Sequence, residues 1–280
     1  MTSSTSPEYV LARRVLLDAL DALGPHRDAV VLVGAQAVYQ HTGDTDLAVA
    51  PTTTDADIAL APSLLRDEPL LEAALRAAGF TLGVNPGTWH GTGGIAIDLM
   101  VPEALSGSGK GKRGARIPLH GNQVARRTLG LEAALVDNQE HALTALDPAD
   151  VRRFTIRVAG PAALLIAKAI KVEERLEHPH RLKPKDGLDM LRLLQAVEAE
   201  PLAQGLHRLG SDALAGEVTR KAVGILRQHG TTPDGPLALL AMQAVGILDD
   251  PDVITESFAV LVQEVLAAYD LSAGVGSSAL

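Results

Sequence analysis

The sequence predicts a mixed α/β domain over residues 1–158, then a helical domain over residues 159–280 that completes the cleft. Three observations carry that expectation. The run Val30-Val31-Leu32-Val33 is β-branched and apolar and stops at Gly34, after which Ala35–His41 turns at once into a helix. A second strand opens from Thr52-Thr53-Thr54-Asp55-Ala56-Asp57 and continues through Ile58-Ala59-Leu60. After Gly160-Pro161 the periodicity becomes helical and stays so, with Pro in first turns.

Taken in order, Pro7–Leu23 reads as a first helix, capped by Ser6 and striped with Leu11, Val15, Leu16, Ala19, Leu20 and Leu23. Asp28–Val33 is the first strand, and Thr42–Pro51 a loop with a brief strand around Leu47–Val49. Asp55–Leu60 is the second main strand, and Pro62–Ala78 an amphipathic helix closed by Gly79. Phe80–Val84 and Gly94–Val101 read as strands, with Trp89-His90-Gly91-Thr92-Gly93 turning between them. Leu129–Val136 and Phe154–Val158 follow as strands, joined by a polar segment with a short helix near Pro148–Val151. Pro161–Leu176 and a helix from near Pro184 open the helical half. Pro201–Leu271 is amphipathic and helical, and residues after Ser272 read as a disordered tail.

Composition narrows the class. At 280 residues the chain holds one large domain or two ordinary ones, with an aliphatic core. No stretch approaches the roughly 20 apolar residues of a membrane helix. The polar start after Met1 resembles no secretory signal, so a cytoplasmic protein is expected. With no cysteine, disulfides, thiolate zinc sites and a cysteine nucleophile are excluded. The net charge of −9 argues against a general nucleic-acid coat, while leaving room for a basic groove at Lys110–Arg116, Arg126-Arg127, Arg152-Arg153 or Lys168–Lys185.

The chemistry concentrates in a few acids. Side chains alternate along a strand, so Asp55 and Asp57 share a face. Like charges so close repel, which makes sense if a divalent cation sits between them; the other reading is that Asp-x-Asp often occurs by chance at a loop-to-strand junction. Magnesium is held by one or two carboxylates plus substrate phosphates. Gly34 lets backbone approach a ligand, and the free N–H groups of the helix that follows attract phosphate. Asp98 stands alone in the apolar run Ile95–Val101, where an unpaired carboxylate is costly and wants a partner. Lys168 interrupts the apolar core of its helix, so it either snorkels or serves a buried site. Lys171 and Arg175 follow it at helical spacing and share its face. Asp186 lies in a first helical turn, where the helix dipole favours a carboxylate. The Gly107–Gly114 stretch fails as a Walker A loop, because Gly111 follows Lys110 where Ser or Thr is needed, and it reads as a mobile basic loop. His178-Pro179-His180 reads as a solvent-exposed loop.

Together, a strand ending in Gly-x-x-Ala, the Thr53-x-Asp55-x-Asp57-Ile58 element and the isolated strand Asp98 resemble the nucleotidyltransferase superfamily. The Lys168 helix followed by Lys185-Asp186-x-x-Asp189 is similar to the AbiEii/AbiGii-type nucleotidyltransferase toxins, including the MenT-like group. The resemblance implies a nucleotidyltransferase-like mixed sheet with flanking helices, and metal-dependent transfer of a nucleoside monophosphate from a triphosphate to an acceptor, with release of pyrophosphate. Mg²⁺ or Mn²⁺ would be bound by Asp55, Asp57 and Asp98, with Asp98 also acting as base on the attacking hydroxyl. Nucleotide contacts fall to Gly34, Ala35, Thr53, Lys168 and Lys171, and Asp186 or Asp189 completes the catalytic set. Thr53 takes the place of a hydroxyl residue that some members modify. The implied acceptor is RNA, a tRNA 3′ end, with the protein acting as a toxin beside a cognate antitoxin. Aromatic stacking runs that would support RNA binding are absent from the sequence. A small-molecule nucleotidyltransferase of the aminoglycoside-modifying kind, and an inactive nucleotide- or partner-binding relative, stay open. The family turn is usually Gly-Gly or Gly-Ser where Gly34-Ala35 stands, and Pro51-Thr52 replaces a family arginine.

Overall fold

The computed structural model describes residues 6–43, 49–107 and 113–276. It divides into two compact units, Met1–Gln40 with Ala50–Ala159, and His41–Val49 with Gly160–Leu280.

The first unit is built on a mixed sheet. Its strands are β1 (Val30–Val33), β2 (Asp55–Leu60), β3 (Thr81–Leu82), β4 (Thr88–His90), β5 (Ala96–Pro102), β6 (Arg126–Thr128), β7 (Asn138–Thr144) and β8 (Arg153–Ala159). They lie in the order β3-β4-β5-β2-β1-β8-β7, with β6 also on β5. β2 runs antiparallel to β1 and parallel to β5. All of β1 is buried, as its unbroken Val/Leu run requires of a central strand. Helix α1 (Pro7–Ala22) begins where the Ser6 hydroxyl accepts the Tyr9 N–H at 3.2 Å, and it packs against β2 and β5. Helix α2 (Gly34–Thr42) follows β1 without a linker because Gly34 takes φ +70°, a conformation that costs glycine little. The single Trp89 is fully buried in β4, its indole N–H on the Val124 carbonyl at 3.0 Å.

In the first unit, local sequence and tertiary structure part company in four places. The stretch expected as one helix, Pro62–Ala78, is a 3₁₀ turn at Pro62–Leu64 and then α3 (Leu71–Ala77). Between them His26 Nδ1 accepts the Arg66 N–H at 3.3 Å and His120 Nδ1 accepts the Leu71 N–H at 3.1 Å, so distant side chains hold an irregular backbone. Trp89-His90 belongs to β4 and not to a turn. The stretch Leu129–Val136, expected as a strand, is a Gly130 turn at φ +89° and the short helix α4 (Glu132–Val136), and the strand β6 lies just before it. Buried Glu132 fixes that turn by accepting the N–H groups of Gly130 (2.8 Å) and Ala104 (3.1 Å). Finally β7 occupies the supposed polar connection. It forms an edge strand too polar to show alternation, and Pro148–Val151 is a turn shaped by Asp147 and Asp150.

The second unit holds α5 (Pro161–Leu176), α6 (Pro184–Ala196), α7 (Ala199–Gly210), α8 (Gly216–His229), α9 (Pro236–Val245) and α10 (Pro251–Gly276). Its core is aliphatic, drawn from Leu164, Leu165, Ile166, Ile170, Leu191 and Leu206 among others. Close helix contacts are set by glycine. A Cβ on Gly187 would lie 2.5 Å from the Ala241 nitrogen, which fixes α6 against α9. The expected tail is helical as far as Gly276. Most of the brief strand foreseen around Leu47–Val49, and the centre of the Gly107–Gly114 loop, fall outside the described residues. No helix among the described residues is long and apolar enough to cross a membrane.

Gly187→Ala is expected to force α6 off α9 and to destabilise the protein by about 1–3 kcal/mol, the usual cost of overpacking. Chemical denaturation measures it; an unchanged midpoint would show that the two helices are not in obligatory contact.

Candidate active site

Three of the expected acids meet on one face of the sheet. In the parallel register of β2 and β5, Asp57 stands directly beside Asp98, and Asp55 beside Ala96. Alternation puts Asp55, Asp57 and Asp98 on the same side, on strands about 4.8 Å apart. Ala56, Ile58, Ile97 and Leu99 take the other side and are fully buried. Sequence spacing alone put Asp55 beside Asp57; only the pairing of β2 with β5 brings in Asp98.

Each acid is held. Thr53, itself buried, donates its hydroxyl to Asp55 Oδ1 at 2.8 Å. Asp98 accepts the Thr88 hydroxyl on Oδ1 at 2.7 Å and pairs with Arg126 through Oδ2 at 3.0 Å. Asp57 lies against the Gly34 turn, where a Cβ would come within 2.2 Å of its Oδ2. The Asp55 carbonyl accepts the side-chain amide of buried Gln36 at 3.1 Å, and Gln36 in turn accepts the Arg13 Nε–H at 2.8 Å. Arg13 is buried, and among the described residues no carboxylate pairs with its guanidinium. It donates instead to the Tyr9 hydroxyl (2.9 Å) and the Thr144 carbonyl (2.8 Å). Burial lowers the Arg13 pKa, and the nearby Tyr9 only partly opposes the shift. Ala35 follows Gly34 in the first turn of α2 and is buried.

Arg13, Gln36 and Thr88 were not foreseen, and Arg126 was foreseen only as part of a basic groove, not as a partner of Asp98. Arg13 left one trace in the sequence, a charge beside the apolar stripe of α1. The other three reach the acids through folds of the chain that no local pattern records.

In the helical unit the structure gathers Lys168, Lys171, Arg175, Asp186 and Asp189. Lys168 Nζ lies 2.8 Å from Asp186 Oδ1 and 2.5 Å from Asp189 Oδ2, and all three residues are buried. Lys171 and Arg175 reach the same Asp186 at 3.0 and 3.3 Å. Burial by itself would push the Asp186 carboxyl up, but Lys168 and Lys171 outweigh it and hold the group below its ordinary range. Burial would likewise lower Lys168, and the two aspartates reverse that and raise it. Asp186 and Asp189 therefore both act on one cation. His178 and His180 lie about a 3₁₀ turn, ring centroids 6.1 Å apart, and both are exposed.

The donor set fits a hard divalent cation at Asp55 and Asp57, which offer only carboxylate oxygen beside a turn that admits no side chain. Among the described residues no three acidic or histidine side chains form a ready-made metal cage. Two carboxylates completed by substrate phosphates is the arrangement magnesium usually takes. Asp98 directs its two oxygens to Thr88 and Arg126.

Acids on a sheet beside a glycine turn at a helix start suit a ligand that brings phosphate and a divalent cation. A nucleotidyltransferase family matches residues 13–214, and the chain belongs to that family. No curated protein matches the chain closely enough to extend that statement. Among solved structures, the solution structure of the antibiotic-resistance factor ANT(2'')-Ia is similar at 12% identity and a TM-score of 0.43, over 78% of this chain and 96% of that one.

Gly34→Ala places a side chain in the left-handed region, at a cost of roughly 1–2 kcal/mol, and drives Asp57 from its position. The expected result is lower stability together with lost metal-dependent nucleotide binding. Binding that survives intact would show that Asp57 is not held by this turn. Lys168→Met is expected to cost about 3–5 kcal/mol by stranding buried carboxylates, and replacing Asp189 with Leu as well should recover part of it. The Asp186 contribution is complete above its unfolded pKa of about 3.9 and is lost as pH falls through the lower folded value. Thermal unfolding of the wild type should accordingly stay level near neutrality and drop below about pH 4.

Proposed function

We propose that this nucleotidyltransferase is active and divalent-metal-dependent, and that Asp55 and Asp57 hold Mg²⁺ with the phosphates of a nucleoside triphosphate. The observation that carries the reading is the register of Asp57 beside Asp98, with Asp55 on the same face and Gly34 kept free of a side chain. The metal, when bound, would neutralise charge on the phosphates during in-line transfer. An acceptor hydroxyl attacks the α-phosphorus, and pyrophosphate leaves. Asp98 has lone pairs beyond those used by Thr88 and Arg126, and it orients that hydroxyl and takes its proton. Thr53 fixes the rotamer of Asp55, while Gln36 and Arg13 fix its backbone.

Within the helical unit the Lys168 charge is balanced by two aspartates, so the cation most able to reach a phosphate is Lys171, with a side chain 37% exposed. Lys168, Asp186 and Asp189 would then hold α5 on α6 and keep Lys171 in place. The acceptor we propose is RNA, the 3′ end of a cytoplasmic tRNA, with the protein as the toxin of a toxin–antitoxin pair. The similarity of Lys168 and Lys185-Asp186-x-x-Asp189 to the AbiEii/AbiGii-type toxins supports this.

The test is incubation of the purified protein and Mg²⁺ with α-labelled triphosphates and either tRNA or an aminoglycoside. Label is expected on tRNA alone, and Asp55→Asn or Asp57→Asn should reduce its transfer at least about a hundredfold while leaving the fold intact. Label on the aminoglycoside instead would assign the small-molecule reaction, and full transfer by Asp55→Asn would refute the metal assignment.

A further inference from the structure

We propose that Arg126 and Thr128 on β6 form a binding site for a substrate phosphate group beside Asp98. The inference rests on the nucleotidyl-transfer reading and gives that site an anion contact which the acids themselves cannot supply.

The placement follows from register. β6 pairs with β5 in parallel, Arg126 beside Met100 and Thr128 beside Pro102. Residues two apart share a face, so Arg126 and Thr128 stand on the side of the sheet that carries Asp98. Arg126 confirms this by its contacts, an amino nitrogen 3.0 Å from Asp98 Oδ2 and 3.1 Å from the Met100 sulfur.

Those contacts use one end of the guanidinium. Its Nε–H is buried and meets no hydrogen-bond partner among the described residues, and the buried Thr128 hydroxyl is in the same position. A buried donor left unpaired costs about 1–3 kcal/mol, and folded proteins leave few such groups. Of the seven buried polar side-chain atoms without a hydrogen bond among the described residues, these two stand on neighbouring side chains of one strand face, next to a carboxylate of the candidate site. Asp98 anchors the guanidinium before any ligand arrives. The ion pair is neutral as a whole, so affinity at this point comes from directed N–H and O–H bonds more than from net charge. A ligand group rich in acceptors and without donors is what these two residues fit, and a phosphate oxygen meets that description.

Such a phosphate has two sources, the triphosphate or the backbone of a nucleic-acid acceptor. Equilibrium binding of ATP with Mg²⁺, and separately of a short single-stranded RNA, distinguishes them in the full-length protein. The variants are Thr128→Val, which keeps the side-chain shape, Arg126→Met, and Arg126→Lys, which keeps the charge but not the Nε–H. Thr128→Val and Arg126→Met are each expected to weaken one of the two ligands by about tenfold or more, with Arg126→Lys rescuing only part. Thr128→Val should leave thermal stability unchanged or raised, since it removes an unpaired buried hydroxyl. Loss confined to ATP assigns the site to the nucleotide, and loss confined to RNA assigns it to the acceptor. Binding of both ligands unchanged in Thr128→Val and Arg126→Met, or a wild type that binds neither, overturns the proposal. The transfer reading fails separately, through full activity of Asp55→Asn, which leaves these binding measurements readable.

Discussion

Carboxylate crowding is the constraint that the first unit answers. Two unit charges about 5 Å apart repel by roughly 3 kcal/mol at an effective dielectric near 20. A single hydroxyl hydrogen bond returns about 1 kcal/mol, too little to hold Asp57 and Asp98 side by side. The structure adds a cation, Arg126 on Asp98, and hydroxyls from Thr88 and Thr53. On β2, the metal proposed above would answer the same repulsion between Asp55 and Asp57. An arrangement that spends stability in this way makes sense where the charge is used, and the family to which the chain belongs supplies that use.

The helical unit solves the opposite problem. Its charges are buried, and there the desolvation of Lys168, Asp186 and Asp189 has to be met by their mutual attraction. A buried ion pair is weak evidence for stability but strong evidence that no partner can be lost alone. Lys171 and Arg175 join the cluster through Asp186, and their side chains are more exposed than that of Lys168.

Much of the scaffold was legible because the signals were local. Val30–Val33, Gly34, Asp55–Leu60 and Pro161–Leu176 follow from β-branching, a glycine stop, alternation and proline at a first turn. The failures are equally physical. Pro62–Ala78 has helical periodicity, yet His26 and His120 bond its backbone from elsewhere in the chain, and tertiary hydrogen bonds override propensity. β7 went unseen because an edge strand faces water and need not alternate. Leu129–Val136 is apolar enough for a strand, and buried Glu132 turns it instead.

By itself the sequence determined local placement: Asp55 and Asp57 on one face, a glycine where backbone must come close, and a lysine deep in an apolar helix. Those are properties of neighbours within a turn or a strand, and covalent spacing settles them. Only the tertiary structure decided who partners whom. Register set Asp98 beside Asp57 and carried Arg126 to Asp98 from 28 residues away. Helix packing closed two aspartates on Lys168. Such pairings depend on how the whole chain buries its apolar surface, and no short window of residues contains that information.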